Sequence, residues 1–224
     1  MVRSMKLSNV MGRVLVVGFA VAVASVATAG PIATFGFTEL NGAWDGASVF
    51  TAVDGPSTNG DVSRILPVTQ SALYQPGFSG PAAYSMTMNL TNIDNPPGTA
   101  QATGSVTIHD ANGDTLTANL AGTWVQNGPF GFFNGLLSQV MFNETGDGIF
   151  QGPSGGAFSM DFDNVGGLEP YTGAIMTLTT GSCFSLAHPF SEENTLVHAS
   201  VLPEPASLAL ALLGLVGTTF RRRA

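Results

Sequence analysis

Apolar and polar residues alternate one by one along much of the chain, a period of two that suits half-buried strands and not amphipathic helices. Tyr84-Ser-Met-Thr-Met-Asn-Leu90 shows it, as do Thr103-Gly-Ser-Val-Thr-Ile108 and Thr115-Leu-Thr-Ala-Asn-Leu120. Between the last two, Asn112-Gly113 predicts a hairpin with a type I′ turn, whose central residues both need positive φ. Further strands are expected at Ile32–Phe37, Ser48–Val53, Phe132–Phe142, Ala157–Phe162, Ala174–Thr180 and Thr195–Val201. Glycine and proline punctuate the gaps, at Pro76-Gly77, Asn95-Pro-Pro-Gly98 and Gly152-Pro-Ser-Gly-Gly156. No convincing helical period lies between the two ends. The expected fold is all-β, a single antiparallel β-sandwich or closed meander barrel.

The two ends follow other rules. Arg3, Lys6 and Arg13 precede the apolar run Val14–Ala24, and Ala27-Thr28-Ala29 follows it. A basic start, a short apolar middle and an A-x-A site make a secretory signal peptide, so residues 1–29 are expected to be removed after Ala29. At the other end Pro203-Glu204-Pro205 leads into the apolar run Ala206–Phe220 and then Arg221, Arg222 and Arg223. The prolines forbid helix through that step and favour a helix start just after it. The fifteen residues of that run make about 22 Å of helix, short of a hydrocarbon core of about 30 Å. The arginines hold their end on the cytoplasmic side, leaving residues 30–202 outside.

Proline–glutamate–proline, apolar span and arginine cluster, in that order, resemble the PEP-CTERM sorting signal of exported proteins in Gram-negative bacteria. The same short tail is also known as an ice-binding protein C-terminal domain. The resemblance covers residues 203–224 and implies that an exosortase recognises Pro203, Glu204 and Pro205. It implies further a transient inner-membrane anchor, and then release or transfer to the cell surface in bacteria that make exopolysaccharide and biofilm. It concerns the handling of the chain and does not bear on the activity of residues 30–202. A looser resemblance, Ala111-Asn-Gly-Asp-Thr-Leu116 followed by Thr145-Gly-Asp-Gly-Ile-Phe150, points to small exported β-barrel domains and to no function.

Composition narrows what the exported part does. Arg64 is the only Lys or Arg between residues 30 and 202, against every acid of the chain except Glu204, for a formal charge of −13. Such a surface repels nucleic acid and anionic lipid. A single cysteine, Cys183, excludes an intrachain disulfide and a cysteine-cluster zinc site; with Phe184 and Leu186 beside it, it reads as strand core.

Candidate chemistry is thin. Asp110-x-Asn112-x-Asp114 begins like a calcium loop, but that motif needs Gly at its sixth position and Glu at its twelfth, where Thr115 and Ala121 stand. Side chains that stabilise a turn are the expected reading. Asp161 and Asp163 fall on one strand face, a spacing open to acid–base work but better explained as a solvated face of so acidic a domain. His109, His188 and His198 show no ligand spacing, and Gly152–Gly156 lacks the lysine of a phosphate loop. Trp44, Trp124 and Phe130-Gly-Phe-Phe133 are candidates for stacking on sugars or for the core. No catalytic residue, metal site or cofactor is expected. The leading expectation is a non-enzymatic exported protein of the cell surface or extracellular matrix, with an exosortase and exopolysaccharide as partners. The alternatives are a carbohydrate- or calcium-binding β-module and, remotely, a secreted glycan hydrolase.

Overall fold

A computed structural model of the 224-residue chain describes residues 30–164, 169–180 and 188–203. Residues 1–29, where a signal peptide is expected, and residues 204–224 lie outside them. Among the described residues twelve strands form: β1 (Ala33–Trp44), β2 (Val49–Val53), β3 (Asn59–Arg64), β4 (Gln70–Tyr74), β5 (Ala83–Thr91), β6 (Thr99–His109), β7 (Thr115–Asn127), β8 (Phe130–Asn143), β9 (Ile149–Gln151), β10 (Ala157–Ser159), β11 (Tyr171–Thr180) and β12 (Phe190–Leu202). Eight of them run antiparallel in the cycle β1-β2-β5-β6-β7-β8-β11-β12, and β12 pairs back onto β1 from Ala33↔Val201 to Trp44↔Phe190. That closure makes the domain a barrel, so no sheet stacks on another as in a sandwich.

Period-two patterning places the core. Along β5, Tyr84, Met86, Met88 and Leu90 point inward while Ser85, Thr87 and Asn89 face out. Apolar-in and polar-out is the reverse of a membrane-spanning barrel. An eight-stranded interior is just wide enough to be filled by side chains, and here aromatic rings fill it. Phe37 meets Tyr74 and Tyr84 at 5.1 and 4.8 Å, and Trp124 meets Phe50 and Phe133 at 4.9 and 5.6 Å between ring centroids. Where the inward position is Gly122, a Cβ would strike the backbone of Asn134 and Gly135 on β8. Close strand approach explains that glycine.

Two hairpins inserted into the meander plug one end. The second half of β1 pairs with β2, but its first half pairs with β3, from Ala33↔Arg64 to Thr38↔Asn59. The β3–β4 hairpin therefore continues the wall where β2 stops. The β9–β10 hairpin ties onto β4, with the Leu73 N–H donating to Gly155 O at 2.9 Å and the Ser154 N–H to Leu73 O at 3.0 Å. Under it Phe150 and Phe158 stack at 5.3 Å, and Phe142 and Phe162 pack at 4.7 Å.

The structure corrects the sequence reading in three places. The Asn112-Gly113 hairpin exists, with β6 and β7 paired from Thr99↔Val125 to His109↔Thr115, but only Gly113 has positive φ. It is a three-residue loop between Asp110 and Asp114, whose backbones bond at 3.0 Å. The strand expected at Ala157–Phe162 stops at Ser159. Strands β3, β4 and β9 were not foreseen: β3 (Asn59-Gly-Asp-Val-Ser-Arg64) carries too few apolar residues to show a period.

Candidate functional site

Asp110 and Asp114 are buried, and their carboxylates are filled by backbone N–H groups. Asp110 Oδ1 accepts from Asn112, Gly113 and Asp114 at 2.9, 2.7 and 2.8 Å, and Oδ2 accepts from Gln151 at 2.8 Å. Asp114 accepts from the N–H groups of Gly146 and Gly148. Asn112 Nδ2 donates to Asp147 at 2.7 Å, and the Thr145 hydroxyl donates to Gly113 O. The β6–β7 turn, the β8–β9 loop and β9 are thus held by two carboxylates. Calcium takes oxygen ligands, whereas these oxygens face donors. The calcium-like spacing serves a structural joint. No group of three or more His, Cys, Asp or Glu placed to hold a metal ion occurs among the described residues.

A second acidic region forms at the plugged end of the barrel. Asp161 and Asp163 are both exposed, as expected of one solvated face, although no ladder bonds hold that segment; the Asp163 N–H donates to Asp161 at 3.0 Å. They line an open cleft of about 440 Å³ with Glu144, Glu169, Met160, Phe142, Phe162 and Tyr171. The β9–β10 hairpin separates Glu144 from Glu169 in the sequence, so no spacing signalled that they meet. The rings are almost wholly covered, Phe142 at 4% exposure being the most open, so the cleft offers no flat face on which a sugar stacks. Arg64 sits beneath it, over the Phe162 ring at 4.6 Å, with Nε on Leu66 O and a terminal nitrogen on Ser159 O, both at 2.6 Å.

Burial pushes the Glu169 carboxyl above its ordinary value, the Phe142 N–H partly opposes the shift, and Glu144 and Asp163 add to it. A raised folded-state pKa means that the folded protein holds the proton more tightly. The associated stability is present below about pH 4.5 and is lost as pH rises through the folded value. A glutamine at this position keeps an oxygen for the Phe142 N–H and has no charge to bury. Thermal melts of Glu169→Gln and wild type are expected to diverge in the variant's favour as pH rises above about 4.5. A difference that does not change with pH would refute this.

The C-terminal tail leaves from that same end. Val201 pairs with Ala33 on one side and Gly173 on the other, Leu202 pairs with Thr172, and Pro203 is the first residue past the ladder. Residues 201–223 match the family model of the PEP-CTERM protein-sorting motif. The chain carries a PEP-CTERM sorting motif. No curated protein and no solved structure matches the chain. The PEP-CTERM motif marks the protein for export and for sorting by an exosortase. It begins on the last two residues of β12, so barrel and sorting step adjoin with no linker between them. Glu204, Pro205 and Arg221–Arg223 lie outside the described residues, as do Ala27 and Ala29.

The remaining sequence candidates are not brought together into a site at the PEP-CTERM end. Trp44, Trp124 and Phe133 are buried, and Phe130 is partly exposed at the opposite end of the barrel. His198 and His188 are exposed on separate elements, and His109 is half-buried beside the Asp110 joint. Cys183 lies outside the described residues. No helix long and apolar enough to cross a membrane occurs among the described residues.

Proposed function

We propose that this is a non-enzymatic exported protein which an exosortase delivers to the cell surface or extracellular matrix, where residues 30–202 serve as a structural or associative barrel. The PEP-CTERM motif at residues 201–223 carries the reading. Three properties support the non-catalytic half. The aspartates with the best motif spacing are consumed by backbone N–H groups. The open cleft has no histidine or lysine in its lining to share a proton with its carboxylates. The single cation of the domain is held by backbone carbonyls and a ring.

The test uses the matrix polysaccharide of a producing strain. Purified mature protein is expected to leave its chain length and reducing ends unchanged. Fractionation of the strain is expected to find the protein in the surface or matrix fraction. Release of reducing ends that disappears in an Asp161→Asn/Asp163→Asn variant would replace this reading with a glycan hydrolase. Protein confined to the inner membrane would refute the surface assignment.

A further inference from the structure

Strand β1 is antiparallel to β3 and to β12, so β3 and β12 run parallel to each other and leave the barrel at the same end. Ala33 pairs with Arg64 on one side and Val201 on the other, two strand spacings or about 10 Å across. The hairpin tip that follows Arg64 and the tail that follows Val201 therefore project side by side. The tip is apolar: Leu66 and Val68 are 38% and 65% exposed, and Pro67 between them is exposed. No charged residue occurs from Ile65 to Tyr74.

Tail length sets the distance to the bilayer. Only Pro203, Glu204 and Pro205 separate the last strand residue, Leu202, from the apolar run beginning at Ala206. Fully extended, three residues span at most about 11 Å. A barrel tethered so closely must bring this end to the membrane surface. Charge decides which side leans in. The tail emerges between the uncharged tip on the β3 side and the Glu144, Asp161, Asp163 and Glu169 cleft on the β8–β11 side. An anionic leaflet repels the cleft and not the tip.

We propose that, in the tail-anchored precursor, the Leu66–Pro67–Val68 tip of the β3–β4 hairpin rests in the outer interface of the lipid bilayer that the tail enters. This rests on the sorting reading of the tail. The docked tip fixes the barrel's tilt and presents the Pro203–Pro205 step on the membrane surface beside it. Once the tail is cut, two exposed apolar side chains are too few to retain the barrel.

The test uses the unprocessed chain reconstituted in vesicles of phosphatidylcholine and anionic phosphatidylglycerol whose acyl chains are brominated near the headgroup. Trp44 and Trp124 are buried and give a background measured on the wild type. Val68→Trp adds a reporter at the tip, and Phe130→Trp adds one at the far end of the barrel. Both positions are exposed, so unchanged far-ultraviolet dichroism is required of each variant before reconstitution. Bromine is expected to abolish most of the emission added at position 68 and none of that added at 130. Protein that fails to float with the vesicles would overturn the anchor and the docking together. Protein that floats with position 68 unquenched would overturn the docking alone. Quenching that appears only after an exosortase is added would mean that the enzyme, and not the tether, brings the tip to the lipid, and would overturn docking in the free precursor. A dimer seen by crosslinking, with position 68 unquenched, would give the surface to a second copy.

Discussion

Asp110→Ala is expected to lower the stability of the barrel by about 3–5 kcal/mol, among the largest effects of any single substitution in it. Four backbone N–H groups converge on this carboxylate, which is wholly buried. Hydrogen bonds to a charged group contribute about 1.5–3 kcal/mol each but do not add, because they share one acceptor group. Removing the charge also relieves its own desolvation cost, which limits the loss. Alanine leaves the donors of the turn and of Gln151 without partners and uncouples the β6–β7 turn from β9. Asp110→Asn separates the two halves of the effect. Its oxygen can still accept from Asn112, Gly113 and Asp114, but its amide meets the Gln151 N–H donor to donor, so an intermediate loss is expected. Asp147→Ala should cost about 1 kcal/mol or less, because Asp147 is exposed and water replaces its bonds. Denaturant midpoints of the mature chain would rank the three variants. An Asp110→Ala midpoint within about 1 kcal/mol of wild type would show that the joint is not what holds the plug.

The same joint shows where the sequence was legible and where it was not. Alternation around Met86, Val106 and Ala118 identified neighbouring strands, because a strand with one buried face must repeat every second residue. Asn112-Gly113 located the hairpin but misled about its turn. A type I′ loop is chosen by backbone twist alone, whereas here Asp110 captures three successive N–H groups and stretches the loop to three residues. A turn-stabilising aspartate was legible in Asp110-x-Asn112-x-Asp114, but the bond from Gln151 to its second oxygen spans forty-one residues, and no local spacing announces it. β3 and β4 were hidden for a related reason. They are short inserted strands that lean on β1 and β9–β10, and their burial comes from those contacts more than from a strong apolar face. The acidic cleft was half visible. Asp161 and Asp163 lie two residues apart, but Glu144 and Glu169 reach them only because β9 and β10 fold back over the plugged end. The sorting tail was fully visible, because a signal read by an enzyme in the membrane works through local residue order and needs no tertiary contact.

Processing at the tail is expected to leave a surface or medium form about 2 kDa lighter than the anchored precursor, since about twenty residues of the 23.0 kDa chain are lost with the apolar span. The barrel limits where the cut falls. Val201 is held by Ala33 and Gly173, and Leu202 by Thr172, in the strand that closes the cycle. A cut upstream of Leu202 would open the β12–β1 seam and expose unpaired strand edges. The mature C-terminus is therefore expected at or beyond Leu202, and intact-mass measurement would locate it. Two substitutions divide the tail's tasks. Replacing Arg221, Arg222 and Arg223 with Ser removes the cations that resist crossing the bilayer. With about 22 Å of apolar helix against a core of about 30 Å, the span has little margin, so the tail should misinsert and mature protein should be lost. Glu204→Gln leaves the span and the arginines intact, so the precursor should remain in the membrane fraction at full mass, uncut. If wild-type surface protein keeps its full tail in a strain that makes an exosortase, the span is a permanent anchor and sorting by cleavage is excluded.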